Sequence, residues 1–368
     1  MNTFGRFLQG LFWRAGLFVG LVMISPQIVD AKELKIVTTT SDLASIARSI
    51  AGERAKVTSI CTGRENPHFI QAKPSYIMLA RDADLWIRAG MELEVGWEGA
   101  IIDGSRNSKI RVGAKGHLDA SEKVLRLGVP SGRMSKAMGD VHPLGNPHYW
   151  LDPLNGRIIA KAITERLTEL LPAEGQHFEQ NLREFQKTLD EHMFGAELVK
   201  ELGGEKLWVL KLRGTLDQFL LKRDLKDKLG GWSAKMRPLR GKKIVTYHRS
   251  WVYFANRFAL VVSTELEPKP GIPPSPAHLA KVVKLMKEQQ IRVILMEPFY
   301  SRRAADLVAS KTGAGVVVCA NSVGGQEKAI DYVSLIDLIV NNLSQNLHKN
   351  APLQNKGESR DVDSKAKP

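Results

Sequence analysis

The tripeptide Asn-Pro-His occurs twice in the chain, at Asn66-Pro67-His68 and at Asn146-Pro147-His148. Proline fixes its own φ near about −65° and restricts the residue before it, so each Asn-Pro holds the following imidazole on a stiff, extended turn. Rigid presentation of a neutral imidazole suits a transition-metal ligand. A third histidine, His248, closes the apolar run Lys243-Ile244-Val245-Thr246-Tyr247, which reads as a buried strand delivering its histidine at the carboxyl end. Three such histidines can converge on one ion.

The elements that must position them follow from periodicity. The run Leu34 to Thr40 is β-branched and reads as a strand, with Ser41-Asp42 capping a helix over Leu43 to Ala51. A strand over Lys56 to Ile60 leads into the first Asn-Pro-His; a helix from Lys73-Pro74-Ser75 through Leu79 and a strand over Asp84 to Ile87 come next. Helical spacing covers Asn155 to Leu171 and again Ala173 to Leu202, the second run being long enough to cross a whole domain. The second half alternates again, with strands over Lys243–Tyr247, Ala259–Thr264, Arg292–Met296 and Gly315–Cys319. Helices run over Trp251–Arg257, Pro276–Glu288, Arg303–Thr312 and Asp331–Leu347. Strands alternating with helices predict an α/β fold with parallel βα units. In such open sheets ligands bind beyond the carboxyl ends of the strands, which is where all three histidines fall.

With 368 residues the chain is long enough for two domains. Residues 1–31 carry Arg6 and Arg14, an apolar stretch from Ala15 to Ile28, and the small residues of Val29-Asp30-Ala31, the pattern of a cleaved signal peptide. No cysteine lies near the expected cleavage point, which favours export to a periplasm over a lipid-anchored form. The two cysteines, Cys61 and Cys319, provide no disulfide framework; they read as buried thiols, a single bond or a ligand pair. The net charge of +14 is concentrated between Lys200 and Lys243, where 13 Lys and Arg face 5 Asp and Glu. Sparse aromatic interleaving and the lack of a nucleic-acid motif there point away from nucleic acid.

Taken together these residues resemble the solute-binding proteins of ABC importers for zinc and manganese, the zinc-uptake type. Asn-Pro-His-Phe-Ile-Gln-Ala-Lys-Pro-Ser at 66–75 and Asn-Pro-His-Tyr-Trp-Leu-Asp-Pro at 146–153 are similar to its first two ligand loops. Thr246-Tyr247-His248 is similar to the third, and Pro273-Pro274-Ser275-Pro276 to a further loop. The resemblance implies two lobes, each a mostly parallel β-sheet flanked by helices, joined by one long rigid helix with the metal site in the cleft between them. It implies an N-terminal lobe over 32–171, a connecting helix over 172–202 and a C-terminal lobe over 241–348. A basic insertion over 203–240 and a disordered tail over 349–368 complete the layout. The insertion carries Leu207-Trp208-Val209-Leu210 and reads as an amphipathic excursion toward the transporter or an anionic surface.

The family supplies a fourth, carboxylate ligand from a short motif ending in glycine. Here the matching stretch is Ala320-Asn321-Ser322-Val323-Gly324-Gly325, with the neutral Asn321 in the carboxylate's place. Glu297, ending the strand before Pro298, is the nearest carboxylate to replace it; water is the alternative, and Glu297 can instead orient a ligand histidine from behind. The expected metal ligands are therefore His68, His148, His248 and Glu297. Three imidazoles and one oxygen suit Zn²⁺ better than Mn²⁺. His142 reads as a solvated loop residue, and His117, His177, His192, His278 and His348 as surface residues. The expected function is capture of a divalent metal in the periplasm and its delivery to the permease of an ABC importer, by a monomer with no enzymatic activity. A metal-dependent hydrolase using a three-histidine zinc site, or an adhesion protein stapled by its ion, are the alternatives that the same donors allow.

Overall fold

The computed structural model describes residues 33–130, 142–269 and 271–349. The expected signal peptide lies outside these residues, as does the expected tail beyond Lys349. From Glu33 onward the chain belongs to one unit built on two four-stranded sheets, all of whose pairings are parallel. The first holds β1 (Leu34–Thr38), β2 (Ala55–Ser59), β3 (Leu85–Arg88) and β4 (His117–Asp119) in the order β2-β1-β3-β4. The second holds β5 (Lys243–Thr246), β6 (Val261–Glu265), β7 (Val293–Met296) and β8 (Gly315–Val318) in the order β6-β5-β7-β8. The two halves thus share one topology, and in each the first strand sits at the switch point where the chain changes direction across the sheet.

The helix Ser41–Ala51 starts two residues before the expected position. Thr40, not Ser41-Asp42, is its cap, the Thr40 hydroxyl accepting from the Leu43 N–H. Asp42 is buried and used elsewhere: it accepts the Val323 backbone N–H at 2.9 Å, while the Ser41 hydroxyl donates to the Val323 carbonyl at 2.7 Å. These bonds tie the start of the first half to the loop after β8. Gly63 belongs to the same contact. It has φ +86°, and a Cβ there would stand 2.0 Å from the Val323 carbonyl oxygen, so no other residue fits.

The halves are joined by helical chain. Pro153–Leu170 is followed by Gly175–Phe194, twenty residues and about 30 Å long. The latter buries Phe178, Leu182, Phe185, Leu189 and Met193, one stripe at helical spacing, against Pro153–Leu170 and Ser41–Ala51. It ends earlier than the periodicity predicts. Gly195, at φ +90°, passes within van der Waals reach of Gly230, and the chain restarts as Ala196–Leu202. Apolar spacing continues across this break, which is why the sequence alone reads as one helix.

The basic stretch that follows is folded into the body. It forms the helices Gly204–Leu212, Leu216–Lys222 and Gly231–Met236, which bury Leu207, Trp208, Leu216, Leu220, Trp232 and Met236. Trp208 donates to Asp190 Oδ1 at 2.6 Å and meets Phe194 edge-on at 5.0 Å; Trp232 donates to Asp337 Oδ1 at 2.6 Å. Of the apolar quartet, Leu207 and Trp208 are core residues and Val209 is exposed. The last helix, Tyr332–Lys349, returns to the first half, where the Tyr332 N–H donates to Ser45 Oγ at 2.9 Å. Cys61 and Cys319 are both free and buried, and burial pushes both thiols up, Cys319 to about 12, leaving them protonated. No helix among the described residues is long and apolar enough to cross a membrane.

Candidate metal centre

Both Asn-Pro-His tripeptides fold the same way. The side-chain oxygen of Asn66 accepts the His68 backbone N–H at 3.0 Å, and that of Asn146 accepts the His148 N–H at 3.0 Å. Each asparagine therefore closes a turn over its proline and fixes the histidine two residues on. The first turn is pinned from behind by Trp97, whose indole donates to the Pro67 carbonyl at 3.0 Å. The third histidine stands directly after Tyr247 at the carboxyl end of β5, the switch point of the second sheet.

The three rings form a near-equilateral triangle, with centroids 5.2 Å (His68–His148), 5.5 Å (His148–His248) and 5.6 Å (His68–His248) apart. One ring nitrogen of each lies within 4.8 Å of the other two. The closest pair, His68 Nε2 and His148 Nε2, are 3.3 Å apart. Two imidazoles on a tetrahedral ion, with bonds of about 2.0–2.1 Å, place their nitrogens about 3.3 Å apart. That pair already stands at ligand spacing, and the third nitrogen needs to close by at most about 1.5 Å to reach it.

The tautomers follow from the partners. Asn146 Nδ2 donates to the Arg249 carbonyl at 2.8 Å, which turns Oδ1 toward His148 Nδ1 at 3.1 Å. An amide oxygen only accepts, so Nδ1 carries the proton and Nε2 presents its lone pair to the centre. His248 is set the same way by Glu267, whose Oε2 is 2.7 Å from Nδ1. Burial, reinforced by the neighbouring imidazoles, holds His68 and His148 well below the ordinary histidine range, so both are neutral. His148, neutral and with its Nε2 lone pair fixed inward, is ready to ligate without first losing a proton.

Glu297 is fully buried at the end of β7; neither carboxylate oxygen makes a well-formed hydrogen bond, with the Ser250 hydroxyl and its own backbone the nearest groups favouring its charge. Burial pushes it up to about 7, a rise partly offset by His248. It is not among the donors that lie within 4.8 Å of one another. Asn321 is buried too, with both side-chain amide atoms unpartnered, while its backbone carbonyl accepts from the Trp150 indole at 2.8 Å. The loop after Glu297 is drawn over the site by Tyr300, which stacks on Tyr247 at 4.2 Å and accepts from Asn66 Nδ2 at 3.3 Å.

Two histidines lie elsewhere than expected. His142 is not solvated: its ring stacks on His68 at 5.1 Å and 28°, its Nε2 is buried without a partner, and burial holds it down at about 4. His117 is a buried residue of β4, 3.8 Å from Glu98, and not a surface histidine. Glu267 escaped the sequence reading altogether. A signal existed, since β5 and β6 are neighbours and a carboxylate just past one faces a histidine just past the other; the Glu267 N–H donates to the Tyr247 carbonyl.

Two parallel α/β halves meeting around inward-facing imidazoles define a two-lobed solute-binding protein, the class that the comparisons bear out. The family model described as zinc-uptake complex component A, periplasmic, matches residues 36–193 and 221–346. The chain belongs to this family. Among curated relatives it is 26% identical over 324 residues to the iron-binding protein YfeA of Yersinia pestis, covering 86% of each chain. It is 24% identical over 313 residues to the high-affinity zinc uptake system protein ZnuA of Bacillus subtilis, covering 83% of this chain and 84% of that one. A crystal structure of ZnuA superposes with a TM-score of 0.63 at 19% identity, over 86% of this chain and 99% of that one. A Mn-bound periplasmic metal-binding protein from Candidatus Liberibacter asiaticus gives 0.59 at 21%, over 86% of this chain and all of that one. At such identities the structural likeness is one of fold. The family match leaves 194–220 unmatched, overlapping the expected insertion at 203–240 in its first part only.

Proposed function

We propose that the protein captures Zn²⁺ outside the cytoplasm, between its two lobes, and delivers it to the permease of an ABC importer. His68, His148 and His248 are the ligands in this reading. The observation that carries it is the triangle of mutually close, inward-facing ring nitrogens, two of whose outer nitrogens are committed to Asn146 and Glu267. Relatives are named for zinc, manganese and iron, so family alone does not choose the metal. The donor set supports zinc: three imidazole nitrogens suit it better than the oxygen-preferring manganese.

For the fourth position we take Glu297. A fully buried carboxylate with no well-formed hydrogen bond is costly unless a cation compensates it, and it lies close enough to His248 for the two to interact electrostatically. Because it stands outside the close group, it reaches the ion by a small inward shift of the loop that carries Tyr300.

The test is physiological. Cells lacking this chain should need added zinc to grow in chelated medium, and the intact chain should remove that need while a His68→Ala, His148→Ala double variant does not. Rescue by the double variant, or rescue by manganese alone, would remove the proposal.

A further inference from the structure

A cleft of about 310 Å³ lies away from the histidines, where the helices of the basic stretch meet the body of the protein. One wall is Lys211, Leu212, Gly214, Leu216 and Asp217; the other includes Leu125, Leu127, Asp152, Tyr253, Arg257 and Phe258. The first wall falls wholly within 194–220, the stretch that the family model leaves unmatched. The cleft is therefore built by what sets this chain apart from its family, and metal binding does not use it.

Its charges do not balance. Arg257 Nε and Nη2 donate to the two oxygens of Asp152, each at 2.7 Å, and Arg240 is paired with Asp217. Both carboxylates are thereby taken. Lys211, the remaining cation, has no carboxylate within ion-pair distance among the described residues; Arg240 and Arg257 repel its charge, and Asp217 and Asp152 attract it more weakly from farther off. Burial and these arginines bring its ammonium down to about 8, so it is still charged at neutral pH. The surface around this charge is mixed, with Asn256 and the paired charges on it and Leu125, Leu127, Leu216, Tyr253 and Phe258 forming its apolar part. Exposed Leu212 and Arg240 and half-buried Asp217 surround the mouth.

We propose that this cleft binds a small organic monocarboxylate, its carboxylate on Lys211 and its apolar body along Leu125, Leu127 and Phe258. One uncompensated positive charge calls for one negative charge, which separates a monocarboxylate from a phosphate dianion. The volume, at the small end of ligand pockets, admits a body of about one ring. Tyr253 makes the cleft a neighbour of the metal centre: its hydroxyl accepts the Leu127 N–H and donates to the Asn146 carbonyl, both at 2.9 Å.

The experiment is calorimetry on the full chain with benzoate as probe and inorganic phosphate beside it. Saturable binding of one benzoate is expected, weakened at least about tenfold in Lys211→Met and kept in Lys211→Arg, with zinc affinity unchanged in both. Leu125→Glu, at an exposed wall position, should weaken benzoate similarly by adding a negative charge, and it tests the site independently should Lys211→Met fail to fold. The proposal is overturned by an absence of saturable benzoate binding at millimolar concentrations. Benzoate affinity unchanged in Lys211→Met or in Leu125→Glu overturns it too, as does phosphate binding as tight as that of benzoate.

Discussion

Glu267 Oε2 lies 2.7 Å from His248 Nδ1, both groups buried at the ends of adjacent parallel strands. The carboxylate fixes which nitrogen of the third imidazole carries the proton and so which one faces the site. Replacing it with alanine should weaken zinc binding by about 10–100-fold while leaving the fold intact, as measured by competition with a chelating dye. Glu267→Gln, which keeps an acceptor but not the charge, should fall between the two. Wild-type affinity in Glu267→Ala would mean that His248 is not held by this contact.

The two asparagines of the repeated tripeptide do unequal work. Asn66 and Asn146 each cap the backbone of the following histidine, but Asn146 also accepts from the His148 ring. Asn146→Ala is therefore expected to cost more zinc affinity than Asn66→Ala, by about tenfold. Equal losses would show that the turn, and not the ring contact, is what matters at both positions.

Zinc affinity should depend on pH near neutrality in part through Glu297. Glu297 is pushed up to about 7, so below that value an incoming ion must displace its proton, and affinity should fall toward about tenfold per pH unit. His68 and His148, held well below 6.5, add nothing in this range because they are already neutral. Glu297→Gln should flatten the dependence between pH 7.5 and 6. An unchanged slope in Glu297→Gln would remove Glu297 from the coordination sphere.

Asp152 and Arg257 form a buried, two-pronged ion pair between the helix after the second Asn-Pro-His and the helix after His248. Arg257 also stands over the Trp208 ring at 5.4 Å. Truncating one partner strands the other's charge, so Arg257→Ala should destabilise the apo-protein by about 3–5 kcal/mol in urea unfolding. The Asp152→Asn, Arg257→Met pair should cost less than the sum of its two single changes, because no bare charge is left. Additive losses would argue against a coupled pair.

Much of this was legible from residue order. Pro276–Glu288 and Arg303–Thr312 have the bounds that periodicity sets, the first because Ser275 caps it and Pro276 opens it. The tripeptide repeat and the strand-end position of His248 located the three histidines, because proline stiffness and strand direction are local properties. What escaped depends on contacts distant in sequence. β4 is three residues long and exists by pairing with β3. The break at Gly195 exists because Gly230 crosses there, and Asp42, a good cap by type, instead serves a loop 281 residues away. His142 carries no signature of its own; only folding stacks it on His68.

The central claim is that three imidazoles from three strand-end loops hold one ion, and calorimetry on the metal-stripped protein with Zn²⁺ addresses it most directly. One ion should bind per chain, and His68→Ala, His148→Ala and His248→Ala should each lower the affinity by about 100-fold or more, with unfolding midpoints of the apo-proteins near that of the wild type. Wild-type affinity in any one of the three single variants would contradict the account.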